Sequence, residues 1–375
     1  MTARPAPRAR RLAATLTTLL TAAALASLGA CSSDSTADAA GAPSASGNAA
    51  APLAEASELR LGYFANLTHA LPLIGVDNGT YQKTLGDTKL TPTIFNAGPA
   101  AVEALLGGAI DAAYVGPNPA INAFSQSKGE AIRIVAGATS AGAQLVVNDK
   151  IKTAADLKGK TLATPQLGNT QDVALRFWLT GQKLTSSLTG APSDVTIVPQ
   201  DNAQTLDTFK AGQVDGGWLP EPWSSRLVDA GGHVLVDEKD LWPGGDFVTT
   251  HLIVSTDFLK KYPGTVKKLI EAEYATNVWV TANSDAAKTE ANSAIEKLTT
   301  KPLSEAVLDR AWANLTPTLD PIASSLQTSA DHGVAVGTSK KTDLTGIYDL
   351  TLLNEVLKEN NEKPVDDAGL GADGK

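Results

Sequence analysis

The sequence predicts an α/β fold of two similar lobes joined by crossover strands, followed by a helical C-terminal region. Three observations predict it. Short apolar strand signals alternate with helix signals from Leu59 onward, the mark of a mostly parallel sheet flanked by helices. The stretch 93–115, TIFNAGPAAVEALLGGAIDAAYV, aligns without a gap on 197–219, IVPQDNAQTLDTFKAGQVDGGWL, at an offset of 104 residues. After Val236 the texture changes: one more strand, Thr249 to Ser255, then an almost wholly helical reading from Pro263 to Lys358. There Ile270, Tyr274, Val278 and Trp279 recur at helical spacing.

The elements follow in order. Leu59–Phe64 alternates as a strand, and Leu90–Phe95, Ala112–Val115 and Ile132–Ala136 are further strands. Ala100–Leu106 is a helix, and Ile121 sits in another. The second copy opens with the short strand Thr161–Ala163, then a helix from Asp172 to Leu179 carrying Val173, Phe177 and Trp178 on one side. The offset pairs Ile94 with Val198, Leu105 with Phe209, Gly108 with Gly212, Asp111 with Asp215 and Tyr114 with Trp218. Lobe 1 is expected from residues 58–140 plus 246–360 and lobe 2 from 141–245, hinged near Thr139–Gln144 and Gly245–Thr250. A cleft between lobes, at the carboxyl ends of strands, is where such folds bind small ligands.

The ends are of a different kind. Arg4, Arg8, Arg10 and Arg11 precede an apolar run, Leu12–Ala26, and then Leu28-Gly29-Ala30-Cys31. This is a secretory leader over residues 1–30, and its end resembles a bacterial lipobox, in which Cys31 becomes the lipidated N-terminus. An ordinary signal peptide with a chance cysteine, or a single membrane-spanning helix, are the alternatives. Residues 31–57 are rich in Ser, Ala, Gly and Pro and read as a tether, a coil of about 28 Å. Residues 361–375 read as a flexible tail. The protein is then secreted and held at the outer face of the cell membrane.

Charge and cysteine usage exclude several classes. The formal net charge is −9, and nucleic-acid binding wants a basic face. Loss of residues 1–30 removes four arginines and no acids, leaving 27 basic against 40 acidic residues, or −13. Cys31 is the only cysteine, so no disulfide, cysteine nucleophile or thiolate metal site is expected. His69, His233, His251 and His332 are too scattered to suggest a metal cluster. Neither metal nor cofactor is expected.

Five segments carry a resemblance: GYFANLTHALPLIG (62–75), AAYVGPNPAI (112–121), QLGNTQDVALRFWL (166–179), GGWLPEPWSSRLV (216–228) and WPGGDFVTTHLIVS (242–255). The chain resembles, over about residues 58–360, the solute-binding proteins of bacterial ATP-driven importers, in the branch that handles aliphatic sulfonates, taurine and nitrate. The resemblance implies a two-lobed periplasmic-binding-protein fold of type II with two crossover strands as hinge. It also implies a small anionic solute clasped between helix N-termini, membrane permease subunits as partners, a monomer, and no catalytic residues.

Candidate ligand-binding residues sit at strand ends. Gly168, Asn169, Thr170 and Gln171 read either as a plain N-cap or as an anion site of backbone N–H groups, a hydroxyl and an amide. Asn66, Thr68 and His69 end the first strand, with His69 either donating to an anion or packing. Asn118 either contacts ligand or caps the next helix. Thr139, Ser140 and Thr249 offer hydroxyls at the hinge. Tyr114 and Trp218 would wall an alkyl chain or pack the lobes. Glu221 either meets a ligand amine or pairs with protein N–H groups, and Trp242 is a lid or a packed aromatic. Arg176, two turns into its helix, either supports the anion site from behind or lies on the surface. The competing functions are an enzyme on the same fold, pyrimidine-related, and a ligand-sensing receptor.

Overall fold

The computed structural model describes residues 52–372. The leader, Cys31 and the tether as far as residue 51 lie outside the described residues, as do residues 373–375. Eleven strands are described: β1 (Glu58–Phe64), β2 (Lys89–Phe95), β3 (Ala112–Val115), β4 (Ile132–Ala141), β5 (Ala143–Val147), β6 (Thr161–Thr164), β7 (Thr196–Pro199), β8 (Gly216–Pro220), β9 (His233–Asp237), β10 (Val248–Ser255) and β11 (Leu315–Pro317). They form two sheets, a six-stranded one in the order β11-β4-β10-β3-β1-β2 and a five-stranded one in the order β7-β6-β8-β5-β9.

The internal repeat is visible in both sheets. β1 lies parallel between β2 and β3, with Leu61 opposite Ala112. β6 lies parallel between β7 and β8, with Leu162 opposite Gly216. The helices Gly98–Leu106 and Asn202–Lys210 keep the offset of 104 at both ends. Each sheet then receives an antiparallel strand on the flank of its third repeat strand. β10 joins β3 in the first sheet, and β5 joins β8 in the second.

The chain crosses between sheets twice. β4 runs into β5 through Gly142, whose φ of 79° is a left-handed conformation that glycine adopts without strain. The return passes from β9 through residues 238–247 to β10. Each lobe has its own apolar core. Leu59, Leu61, Ile134 and Leu252 are among the buried residues of the first, and Leu145, Leu162, Leu175 and Trp218 of the second.

Three expectations are corrected. The stretch from Pro263 to Lys358 is not almost wholly helical: it contains β11, which pairs antiparallel with β4, and a non-helical run over residues 338–350. The end of the tether is part of the folded body, because the Ala56 N–H donates to Thr265 Oγ1 (2.7 Å) and the Gly264 N–H to the Ala54 carbonyl. The tail is also held as far as residue 372. The Val365 N–H donates to Asn354 Oδ1 (2.8 Å), the Ala372 N–H donates to the Tyr348 carbonyl, and Leu370 packs on the first core. Among the described residues no helix is long and apolar enough to cross a membrane.

Candidate functional site

Four helices begin at one place between the sheets: Gly98–Leu106 and Pro117–Gln126 after strands of the first sheet, Thr170–Gly181 and Asn202–Lys210 after strands of the second. Each follows the carboxyl end of a parallel strand (β2, β3, β6 and β7), so their N-termini converge. The first N–H groups of a helix have no partner inside it. The residues preceding these helices are Ala97, Gly116, Asn169 and Asp201, and none caps its helix with a side chain. Asn169 instead donates its Nδ2 to Gln171 Oε1 (2.9 Å), and Asp201 Oδ2 accepts from Asn96 Nδ2 (3.1 Å) across the cleft.

The cavity there is small, about 20 Å³, room for roughly one water-sized body. Asn66, Thr68, His69, Asn169, Thr170, Gln171 and Thr249 line it together with Phe64, Asn96, Ala97, Gly116, Pro165, Asn202, Pro220 and Thr250. No Asp, Glu, Lys or Arg is among them. The positive potential comes from the helix ends, each worth up to about 2 kcal/mol to an anion when partly buried. Thr170 Oγ1 and Asn202 Oδ1 are buried without a hydrogen-bond partner, and an unmet buried polar atom costs roughly 1–3 kcal/mol. The Thr170 hydroxyl can donate to an anion, whereas Asn202 Oδ1 accepts only and would gain from a donor.

His69 is fixed as a neutral donor. Its Nδ1 accepts the Phe64 N–H (3.4 Å), which places the proton on Nε2. Burial pushes the imidazole pKa down to about 3. The ring packs on Phe64 with centroids 4.2 Å apart. Asn66 Oδ1 accepts the Trp223 indole N–H (2.8 Å) from the other lobe.

The remaining candidates are placed elsewhere. The Gly168 N–H, expected to face an anion, donates to Asp172 Oδ2 (2.9 Å). That carboxylate also accepts from Thr164 Oγ1 (2.9 Å) and Arg176 Nε (3.0 Å). Arg176 is therefore buried, not superficial, because a buried carboxylate one helical turn away needs its charge balanced. Asn118 Nδ2 donates to the Ser329 carbonyl (2.9 Å), away from the cavity. Thr139 donates to the Thr68 carbonyl (2.7 Å) and Ser140 to the Phe247 carbonyl (2.7 Å), so both brace the hinge rather than line the cavity.

Trp218 is fully buried in the second lobe, and its Nε1 donates to Glu238 Oε2 (2.7 Å). Burial pushes the Glu238 carboxyl up to about 7. Tyr114, its repeat counterpart, bonds Tyr81 through their hydroxyls (2.8 Å). Glu221 is buried on protein donors, accepting from the Ser225 N–H, Ser225 Oγ and Asn314 Nδ2. Trp242 stacks on Phe247 with centroids 5.3 Å apart. Sequence reasoning missed Asn96 and Asn202. The repeat could have found Asn202, which opens its helix where Gly98 opens the equivalent one.

The comparisons agree with this architecture. A Brucella abortus protein that is named as a binding protein without an assigned ligand is 26% identical over 238 residues, which span 62% of this chain and 70% of that protein. The alkanesulfonate-binding protein SsuA of Xanthomonas axonopodis pv. citri, bound to MOPS, superposes with a TM-score of 0.63 at 23% identity, covering 77% of this chain and 96% of that one. The periplasmic nitrate-binding protein NrtA of Synechocystis PCC 6803 gives 0.69 at 17% identity, covering 81% and 89%. These two structures share the two-lobed fold. A family model matches residues 53–296, well over half of the sequence, and the chain belongs to the NMT1-like family.

Proposed function

We propose that the chain is the extracytoplasmic receptor of an ATP-driven importer, clasping a small oxyanion of the nitrate or sulfonate class between its lobes for delivery to a membrane permease. One observation carries this reading: four helix N-termini without side-chain caps meet around a cavity that also holds the unpartnered Thr170 Oγ1. Hydrogen bonds to a charged group contribute about 1.5–3 kcal/mol each, and an oxyanion takes several. The lining residues hold no carboxylate, thiol or amine, and His69 stays neutral. Such a set binds without transforming, which favours a receptor over an enzyme. The cavity as it stands, about 20 Å³, holds one water-sized body, so an oxyanion enters with a small parting of the lobes.

A thermal-shift screen of the mature protein against nitrate, methanesulfonate, taurine, bicarbonate and a hydroxymethylpyrimidine tests this. A ligand at 100 times its dissociation constant stabilises by about 2.7 kcal/mol. Nitrate or a sulfonate should raise the melting temperature. A shift with the pyrimidine alone, or with none of the five, refutes the oxyanion reading.

We further propose a lipid anchor on Cys31, from the lipobox-like Leu28-Gly29-Ala30-Cys31. Cys31→Ser should release the protein from the membrane fraction or leave the leader uncleaved. Normal cleavage with unchanged membrane retention removes the anchor from the proposal.

A further inference from the structure

Trp223 closes the run WLPEPW (218–223), of which Pro220 alone lines the cavity. It opens the helix Trp223–Asp229, which packs on β5 and β8 of the second sheet. Asn66 follows β1 of the first sheet. Their hydrogen bond, Nε1 to Oδ1 at 2.8 Å, therefore spans the cleft.

An indole N–H only donates, so the Asn66 atom it meets is the carbonyl oxygen. That fixes which way the amide faces and leaves its two N–H donors for the cavity that Asn66 lines. The ring itself is held, with the Arg226 guanidinium 4.6 Å from its centroid. The bond needs the two lobes together, because its donor and acceptor stand on elements of different sheets.

We propose that Trp223 is a positioning residue for ligand capture, which turns the Asn66 donors onto the bound oxyanion and ties that orientation to lobe closure. The proposal rests on the oxyanion-receptor reading. It assigns Trp223 no contact with the ligand and an effect exerted wholly through Asn66.

Titration calorimetry with nitrate and with methanesulfonate, on wild type, Trp223→Phe, Asn66→Ala and the double variant, tests it. Each single change should weaken binding about five- to tenfold. The double variant should be no weaker than Asn66→Ala alone, and the ligand-free melting temperatures should stay close to wild type. Full affinity in Trp223→Phe, or losses that multiply in the double variant, overturns the proposal. A merely structural tryptophan gives the second pattern with a lowered melting temperature.

Hydrogen exchange at the Trp223 indole N–H separates this from a failure of the receptor reading. Exchange should be slower in wild type than in Asn66→Ala. If wild type binds neither anion, the receptor reading fails, and equal exchange rates in the two proteins would independently sink the coupling.

Discussion

Gly116→Ala lowers oxyanion affinity by tenfold to a hundredfold and leaves the ligand-free protein folded. Gly116 precedes the helix Pro117–Gln126 with φ −74°, a conformation open to any residue, so the backbone accepts alanine. The obstacle is across the cleft, where a Cβ at this position collides with Thr170 Oγ1 of the other lobe. On its own side the nearest atom to the Cβ is the Thr249 carbonyl oxygen, at 3.3 Å, which a shift of a few tenths of an ångström relieves. Overpacking of this kind costs about 1–3 kcal/mol, and here the cost falls on the closed state. Every 1.4 kcal/mol is about tenfold in affinity. Adding Thr170→Ala removes the colliding oxygen and should recover part of the closure, seen as a smaller radius of gyration on adding ligand. Unchanged affinity in Gly116→Ala would mean that the lobes do not need this approach to hold ligand.

Asp172→Ala destabilises the protein by about 3–5 kcal/mol, the usual cost of stripping one partner from a buried ion pair. Asp172 is fully buried and Arg176 nearly so. The change leaves Arg176 Nε, the Gly168 N–H and Thr164 Oγ1 without their acceptor. Against a typical total of about 5–15 kcal/mol, this is a large share. Urea denaturation reads it as a fall in midpoint at unchanged slope. A loss below about 1 kcal/mol would show that water or rearrangement meets these groups. Asp172→Asn should fall between, because the amide keeps the shape and one acceptor but not the charge.

Much of the fold was legible because it depends on patterns within one segment. The strands around Leu61 and Leu162 and the helix over Ala100–Leu106 follow from apolar periodicity, and the offset of 104 pairs Leu105 with Phe209 in the equivalent helices. The candidate cavity was legible where it depends on strand ends: Asn66, Thr68, His69, Asn169, Thr170 and Gln171 line it. It was not legible where a polar side chain chooses between two directions. Asn118 turns to the Ser329 carbonyl, a partner 211 residues away, and no local pattern announces it. Asp172 and Arg176 look like an ordinary exposed pair one helical turn apart, and only their depth in the fold makes them an anchor for the Gly168 turn. Trp218 and Tyr114 were assigned their strands correctly, but each points into the core of its own lobe.

The strand order sets the sequence in which the molecule can be assembled as the chain emerges from its N-terminal end. The second sheet draws only on β5 to β9, all within residues 143–237, so it completes without waiting for later segments. The first sheet cannot. β10 lies between β3 and β4 and pairs with both, yet β4 ends at Ala141 and β10 begins at Val248. Until residue 255 is available, β3 and β4 keep unpaired edges that template pairing with other chains. Long-range pairings of this kind also form slowly. By strand order alone, the first sheet leaves its edges open over a longer stretch of chain than the second.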